Sequence, residues 1–185
     1  MSFLHINEKT QRLIIVSNRL PIYRVVDEEG GSSWKHATGG LVTALDPVLR
    51  QTHGIWIGWD GAPQEDFSKD DFTIVNTRDI TFTAEDETEK EGYYYIANVP
   101  LTANEVHEYY TGFSNSTLWG LFHYFFEKCA IDLRSWEAYY AINNRFAHYV
   151  NKVSQPDDII WIHDYHLMLV PFFLPEQLPG KAYFC

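Results

Sequence analysis

Residues 158–171 read DIIWIHDYHLMLVP, and the fold follows from how this stretch is divided. Ile159, Ile160, Trp161 and Ile162 are apolar at every position rather than at alternate ones, the pattern of a parallel strand covered on both faces. The run then meets His163, Asp164, Tyr165 and His166 before apolar residues resume at Leu167. Ligands of open α/β sheets gather outside the carboxyl ends of the strands, so these polar residues fall where burial ends and a pocket begins. A structural reading of the same residues is also open: Asp164 capping a helix that begins near His166, with the histidines satisfying each other or nearby carbonyls.

Working outward, RLIIV at 12–16 is a second short apolar strand, ended by Ser17, Asn18, Arg19 and Pro21, which places Arg19 just past its carboxyl end. IYRVV and WKHA flank DEEGGSS as the arms of a β-hairpin with Gly30-Gly31 at its tip. In TGGLVTALDPVLRQTHG, two glycines precede a helix with Leu41, Val42, Leu45, Val48 and Leu49 at helical spacing, closing at Gly54, and IWIGW is the next strand. From 62 to 92 the composition turns polar; AEDETEKEG at 84–92 is expected to be a solvated loop, mobile and away from the pocket. YYYIANVPL returns to strand chemistry, and Thr102 with Glu105 makes a capping box for a helix ending near Gly112. Ser114 or Asn115 is expected to cap a second helix, and Ser135 a third whose Trp136, Tyr139, Tyr140, Phe146, Val150 and Val153 form an apolar face. GKAYFC reads as the opening of a buried strand, which suggests a fragment. Strands separated by helices predict an α/β fold with a mostly parallel sheet, as one domain over residues 1–185.

The 185 residues, 45% hydrophobic and 16% aromatic, can supply a sizeable core. A net charge of −11, from 25 acidic and 14 basic residues, opposes nucleic acid or an anionic membrane as partner. Cys129 and Cys185 are too few for a disulfide framework and form no C-x-x-C pair, which favours a reducing, cytoplasmic setting. No apolar run reaches the roughly 20 residues of a membrane span.

The other residues with chemical promise are Arg19, Gly39-Gly40, Trp59, Tyr110 and Trp119. Arg19 can grip a phosphate with its planar fork or serve as a surface residue. Gly39-Gly40 lets an anion approach helix N–H groups, although a loop needing positive φ explains the pair equally well. Trp59 and Trp119 can wall a sugar ring or fill a core. A metal centre lacks H-E-x-x-H or H-x-H spacing, so none is expected.

Taken in order, VSNRLP, GGLVTAL, WIGWDG, YYTGFSNSTLWGLFHYF and IWIHDYHLMLVP resemble the N-terminal domain of the trehalose-6-phosphate synthases, glycosyltransferase family 20, with the look of a catalytic, fungal form. The resemblance implies a Rossmann-like, acceptor-side domain of a GT-B enzyme, the donor domain lying beyond Cys185. It further implies a retaining transfer of glucose from UDP-glucose to glucose 6-phosphate, giving α,α-trehalose 6-phosphate and UDP, with no cofactor, and admits an oligomer or a larger trehalose synthase complex. By the same resemblance, Arg19 contacts the acceptor phosphate, Tyr110 and Asp164 bind the acceptor, Trp59 walls its pocket and Trp119 selects its α-anomer. Gly39 and Gly40 approach the donor. His163 and His166 belong to the motif without an assigned contact to either substrate, open to a place behind the residues that touch it, and no residue is assigned as the nucleophile. A non-catalytic regulatory member of the family is the alternative, and a metal-dependent hydrolase a more distant one.

Overall fold

The computed structural model describes residues 11–26, 31–68, 73–83, 91–129 and 131–185. At its centre lies a six-stranded sheet of order β5-β6-β4-β1-β7-β8. Strands β1 (Leu13–Arg19), β4 (Ile55–Trp59), β6 (Tyr95–Asn98), β7 (Ile159–Ile162) and β8 (Lys181–Phe184) are parallel, and β5 (Ile74–Asn76) pairs antiparallel with β6. Strands β2 (Ile22–Val26) and β3 (Ser32–His36) form the predicted hairpin; residues 27–30 at its tip lie outside the described residues.

β1 shows why an unbroken apolar run becomes a central strand. Side chains alternate between faces with a period of two. Leu13 and Ile15 pack with Leu45 and Leu49 of α1 (Gly40–Thr52), whereas Ile14 and Val16 pack with Tyr139, Ile142, Phe146 and Val150 of α4 (Leu133–Val153). The buried carboxylate of Asp158 ties the opposite end of this layer together: it accepts from Arg12 Nη2 at 2.7 Å and Nε at 3.1 Å.

Several expected boundaries move. Arg19 is the last residue of β1, after an irregularity in the β1–β4 register between Val16 and Arg19. α1 closes on His53, in the left-handed region at φ 47°, one residue before Gly54. The polar stretch 62–92 contains β5, a 3₁₀ turn over Thr77–Asp79 and a bridge from Phe82 to Trp34, because Val75, Ile80 and Phe82 reach the core. Residues 84–90 of the acidic segment lie outside the described residues.

The capping box of Thr102 and Glu105 is present and opens α2 (Ala103–Glu105). The helix then continues through wide π-type turns over Val106–Leu118 into α3 (Trp119–Phe122), so it neither ends at Gly112 nor restarts at Ser114 or Asn115. Gly112 serves close approach instead: a Cβ there would lie 2.6 Å from Ser135 Oγ. α4 is capped by Asp132, whose carboxylate accepts from Ser135 N at 3.0 Å; Ser135 is in the first turn. Within the expected apolar face of α4, Trp136 and Tyr140 remain exposed. β8 exists but forms an exposed edge rather than a buried strand.

Candidate functional site

The carboxyl ends of β1 and β7 and the N-terminus of α1 surround a cavity of about 420 Å³. Its walls include Asn18, Arg19, Gly39, Gly40, Tyr110, His163, Asp164 and His166, with Tyr23, Leu41, Val42 and Trp56 supplying apolar surface. A larger groove of about 760 Å³ runs along the outer side of α1, floored by the Asp46–Arg50 ion pair; its walls include neither Arg19 nor Tyr110 nor Asp164. The smaller cavity is therefore the chemically furnished one.

Arg19 sits over Trp59, its guanidinium carbon 4.5 Å from the ring centroid. Trp59 is 4% exposed and donates through Nε1 to Ala62 O at 3.2 Å, so it supports Arg19 from beneath rather than walling the cavity. The β1 terminus is held by its neighbours: Ser17 Oγ accepts from Trp56 Nε1 and donates to Arg19 O, both at 2.7 Å. Beside it, Tyr109 Oη donates to Asn18 Oδ1 at 3.1 Å. Burial foremost, with neighbouring tyrosines and Asp164, pushes Tyr109 well above the ordinary phenol range, so it stays a donor. Buried Asp60 lies 3.5 Å from Arg24 Nη2, and burial raises its pKa against the N–H of Ala62 and the charges of Arg24 and Arg19.

Gly39 has φ 160°, which is extended backbone, and neither Gly39 nor Gly40 is in the left-handed region. A Cβ at either position would meet nothing within 4 Å. Neither backbone strain nor internal crowding calls for these glycines. The two glycines leave the first-turn N–H groups of α1 open to approach, a favourable place for an anion.

Asp164 sits in the left-handed region at φ 74° and caps the 3₁₀ turn Tyr165–Leu167, accepting from Tyr165 N at 2.7 Å. The expected capping role and the expected cavity position thus coexist in one residue. Its contact with His166 first, and the Tyr165 N–H, hold its carboxyl below the usual carboxylate range against the opposing effect of burial. His163 is pushed below the usual imidazole range by burial, with Asp164 opposing. Its Nδ1 lies 3.3 Å from Cys185 Sγ, and its Nε2 has no hydrogen-bond partner among the described residues. The histidines therefore do not satisfy each other.

α4 supplies the foundation of this turn, a role the sequence reading did not give it. Tyr139 Oη donates to Tyr165 O at 2.6 Å and accepts from Met168 N. Asn143 donates to His166 O and accepts from Leu169 N, both at 3.0 Å. A lone Asn on the face shared with Tyr139, Phe146 and Val150 was the available signal. Trp119 stands apart from the cavity wall, 42% exposed and stacked on His123 at 4.1 Å. Among the described residues, no group of three His, Cys, Asp or Glu side chains is arranged to hold a metal ion, and no helix is long and apolar enough to cross a membrane.

The sequence profile of Glycosyltransferase family 20 matches residues 11–182. The chain belongs to this family. Within it, the chain is 39% identical, over 90% of its length, to the trehalose-6-phosphate synthase of Mycobacterium avium (strain 104), of which it covers 31%. Two solved structures give the fold independently. One is an α,α-trehalose-phosphate synthase (UDP-forming) from Burkholderia vietnamiensis, with TM-score 0.72 and 29% identity over 95% of this chain and 32% of that one. The other is the Burkholderia xenovorans enzyme in complex with glucose-6-phosphate, with TM-score 0.67 and 30% identity over 94% and 32%. The chain thus spans about a third of the length of the family 20 relatives it matches. These relatives are bacterial and lend the expected fungal form no support.

Proposed function

We propose that this chain is the acceptor-side domain of a retaining glucosyltransferase that moves glucose from UDP-glucose to glucose 6-phosphate, yielding α,α-trehalose 6-phosphate and UDP. The observation that carries this reading is the convergence of Arg19, Asp164 and the open N-terminus of α1 on one cavity. A guanidinium fork suits a phosphate, a carboxylate held ionised suits sugar hydroxyls, and helix N–H groups with no side chain in front suit the phosphates of a nucleotide sugar. The likeness to a synthase solved with glucose-6-phosphate supports the assignment of the acceptor. Tyr110, in the same cavity wall as Asp164, is the aromatic face offered to the sugar, while Trp59 acts by bracing Arg19.

Asp164 is a ligand for hydroxyls in this scheme and not a nucleophile, since a retaining transferase can let the leaving phosphate assist the acceptor and needs no second carboxylate beside the first. The 185-residue chain alone binds the acceptor weakly and does not turn over, because it spans about a third of its relatives and transition-state stabilisation needs donor contacts beyond this cavity. The test is calorimetric titration of the chain with glucose 6-phosphate beside UDP-glucose. Saturable binding of glucose 6-phosphate that Arg19→Ala abolishes is the expected result. No binding at millimolar concentration, or binding that ignores Arg19→Ala, would overturn the assignment.

A further inference from the structure

His166 is the group in the cavity wall whose placement the preceding roles leave unexplained. Its side chain is 9% exposed, yet neither ring nitrogen has a hydrogen-bond partner among the described residues. Buried polar atoms are nearly always partnered, so two orphaned nitrogens on one ring call for a reason. The ring is clamped: Tyr165 stacks on it at 4.1 Å and 26°, Tyr110 at 5.4 Å and 13°, and Tyr109 meets it edge-on at 6.5 Å. Nδ1 faces Asp164 Oδ2 at 3.4 Å, close enough to attract but not aligned as a hydrogen bond. Because Asp164 Oδ1 is already taken by Tyr165 N–H, its other oxygen is the one turned to the imidazole.

We propose that His166 is the positioning residue of this cavity, orienting the Asp164 carboxylate through Nδ1 and the Tyr110 ring through stacking. The inference rests on the reading that Asp164 and Tyr110 meet the acceptor sugar. Tyr110 comes from the π-type helix and Asp164 from the end of β7, two elements with no backbone pairing between them; the imidazole is the spacer that joins them. Asn143 fixes that spacer from α4 by binding the His166 carbonyl. A carboxylate and an aromatic face held in place before the sugar arrives lose less freedom on binding. The titratable groups facing the ring are Asp164, Tyr109, Tyr110 and Tyr165. The depressed titration of Asp164, whose largest cause is its contact with His166, agrees with the arrangement.

Carboxyl-labelled NMR of the 185-residue chain tests this with two variants. His166→Phe keeps a ring between the tyrosines and removes the nitrogens; the Asp164 titration midpoint should rise toward the ordinary carboxylate value and affinity for glucose 6-phosphate should fall by about tenfold. His166→Asn returns an amide nitrogen near the Nδ1 position and should restore the low midpoint while leaving the Tyr110 ring less restrained. A folded Phe variant with an unchanged Asp164 midpoint overturns the proposal. If that variant does not fold, the wild-type chain decides: the His166 ring nitrogens should shift as Asp164 ionises, and silence there overturns it equally. Failure of the wild-type chain to bind glucose 6-phosphate would remove the acceptor reading, while the Asp164 midpoint still judges the contact with His166.

Discussion

Arg19 joins a long-range role to a local geometry. Its guanidinium sits over the Trp59 ring, and Gly61, at φ 92°, leaves the room it occupies. Lysine keeps the charge but has neither the planar face for the indole nor the two-donor fork for a phosphate. We therefore expect Arg19→Lys to weaken glucose 6-phosphate binding nearly as much as Arg19→Ala, by about ten- to a hundredfold from the roughly 1.5–3 kcal/mol of a charge-assisted hydrogen bond. UDP-glucose binding should change little, and calorimetry with each ligand in turn checks both statements. His163 offers a pH prediction. Burial lowers its folded-state pKa from 6.5, so as the pH falls below about 6.5 the unfolded chain takes up this proton before the folded one does. Stability should therefore drop between pH 7 and pH 5, and His163→Gln should flatten that slope in urea titrations. An equal slope in the two proteins would remove His163 as the cause.

At the scale of elements, two junctions position the site. Glu105 closes the capping box of α2 and also bonds Arg145 of α4, at 2.5 Å to Nη2 and 3.0 Å to Nη1, while Arg145 reaches Pro100 O at 2.7 Å. Burial works to raise the Glu105 pKa, but the bonds from Arg145 and Thr102 outweigh it and leave the pKa lowered from 4.5. The stabilisation is therefore present above about pH 4.5 and is lost as the pH falls through the folded-state value. Glu105→Ala removes the carboxylate half of the capping box and takes the ion-pair partner from a guanidinium that is 8% exposed; a loss of about 2–4 kcal/mol is expected from urea unfolding at pH 7. The second junction is β1 against β4. A Cβ on Gly58 would lie 2.7 Å from the Arg19 carbonyl carbon and 2.8 Å from Leu20 N, both backbone atoms. Gly58→Ala must push the end of β1 aside, so it should destabilise by about 1–3 kcal/mol and weaken glucose 6-phosphate binding although it touches no ligand. A folded Gly58→Ala chain with full affinity would show that Arg19 tolerates this displacement.

The whole molecule pairs a well-formed sheet with an open rim. Among the described residues β8 is an edge strand of the sheet, and Tyr124, Phe126, Leu133 and Phe172 are each more than half exposed. Exposed edges and apolar side chains favour association, while the net charge of −11 opposes it. Salt shortens the range of that repulsion. We expect the purified chain to associate more strongly in 0.5 M salt than in 0.05 M, and Phe126→Glu to reduce the effect; sedimentation at several concentrations measures both.

Local chemistry in the sequence determined the fold class and most of the cavity. Unbroken apolar runs such as LIIV and IIWI can only be covered on two faces, so the parallel sheet and the placement of Arg19 and Asp164 at strand ends followed from periodicity. The hairpin and the Thr102–Glu105 capping box were likewise legible, because their partners lie within a few residues of each other. Contacts between residues distant in the chain were not. Whether Trp59 faces the cavity or braces Arg19, and whether Gly112 ends a helix or lets α4 approach, depends on which elements meet. The support of Asp164 by Tyr139 and Asn143, some twenty residues upstream, exists only once α4 has packed beside β7. A sequence records each residue's preference for burial and shape, whereas the partner that satisfies a buried polar atom is chosen by tertiary packing.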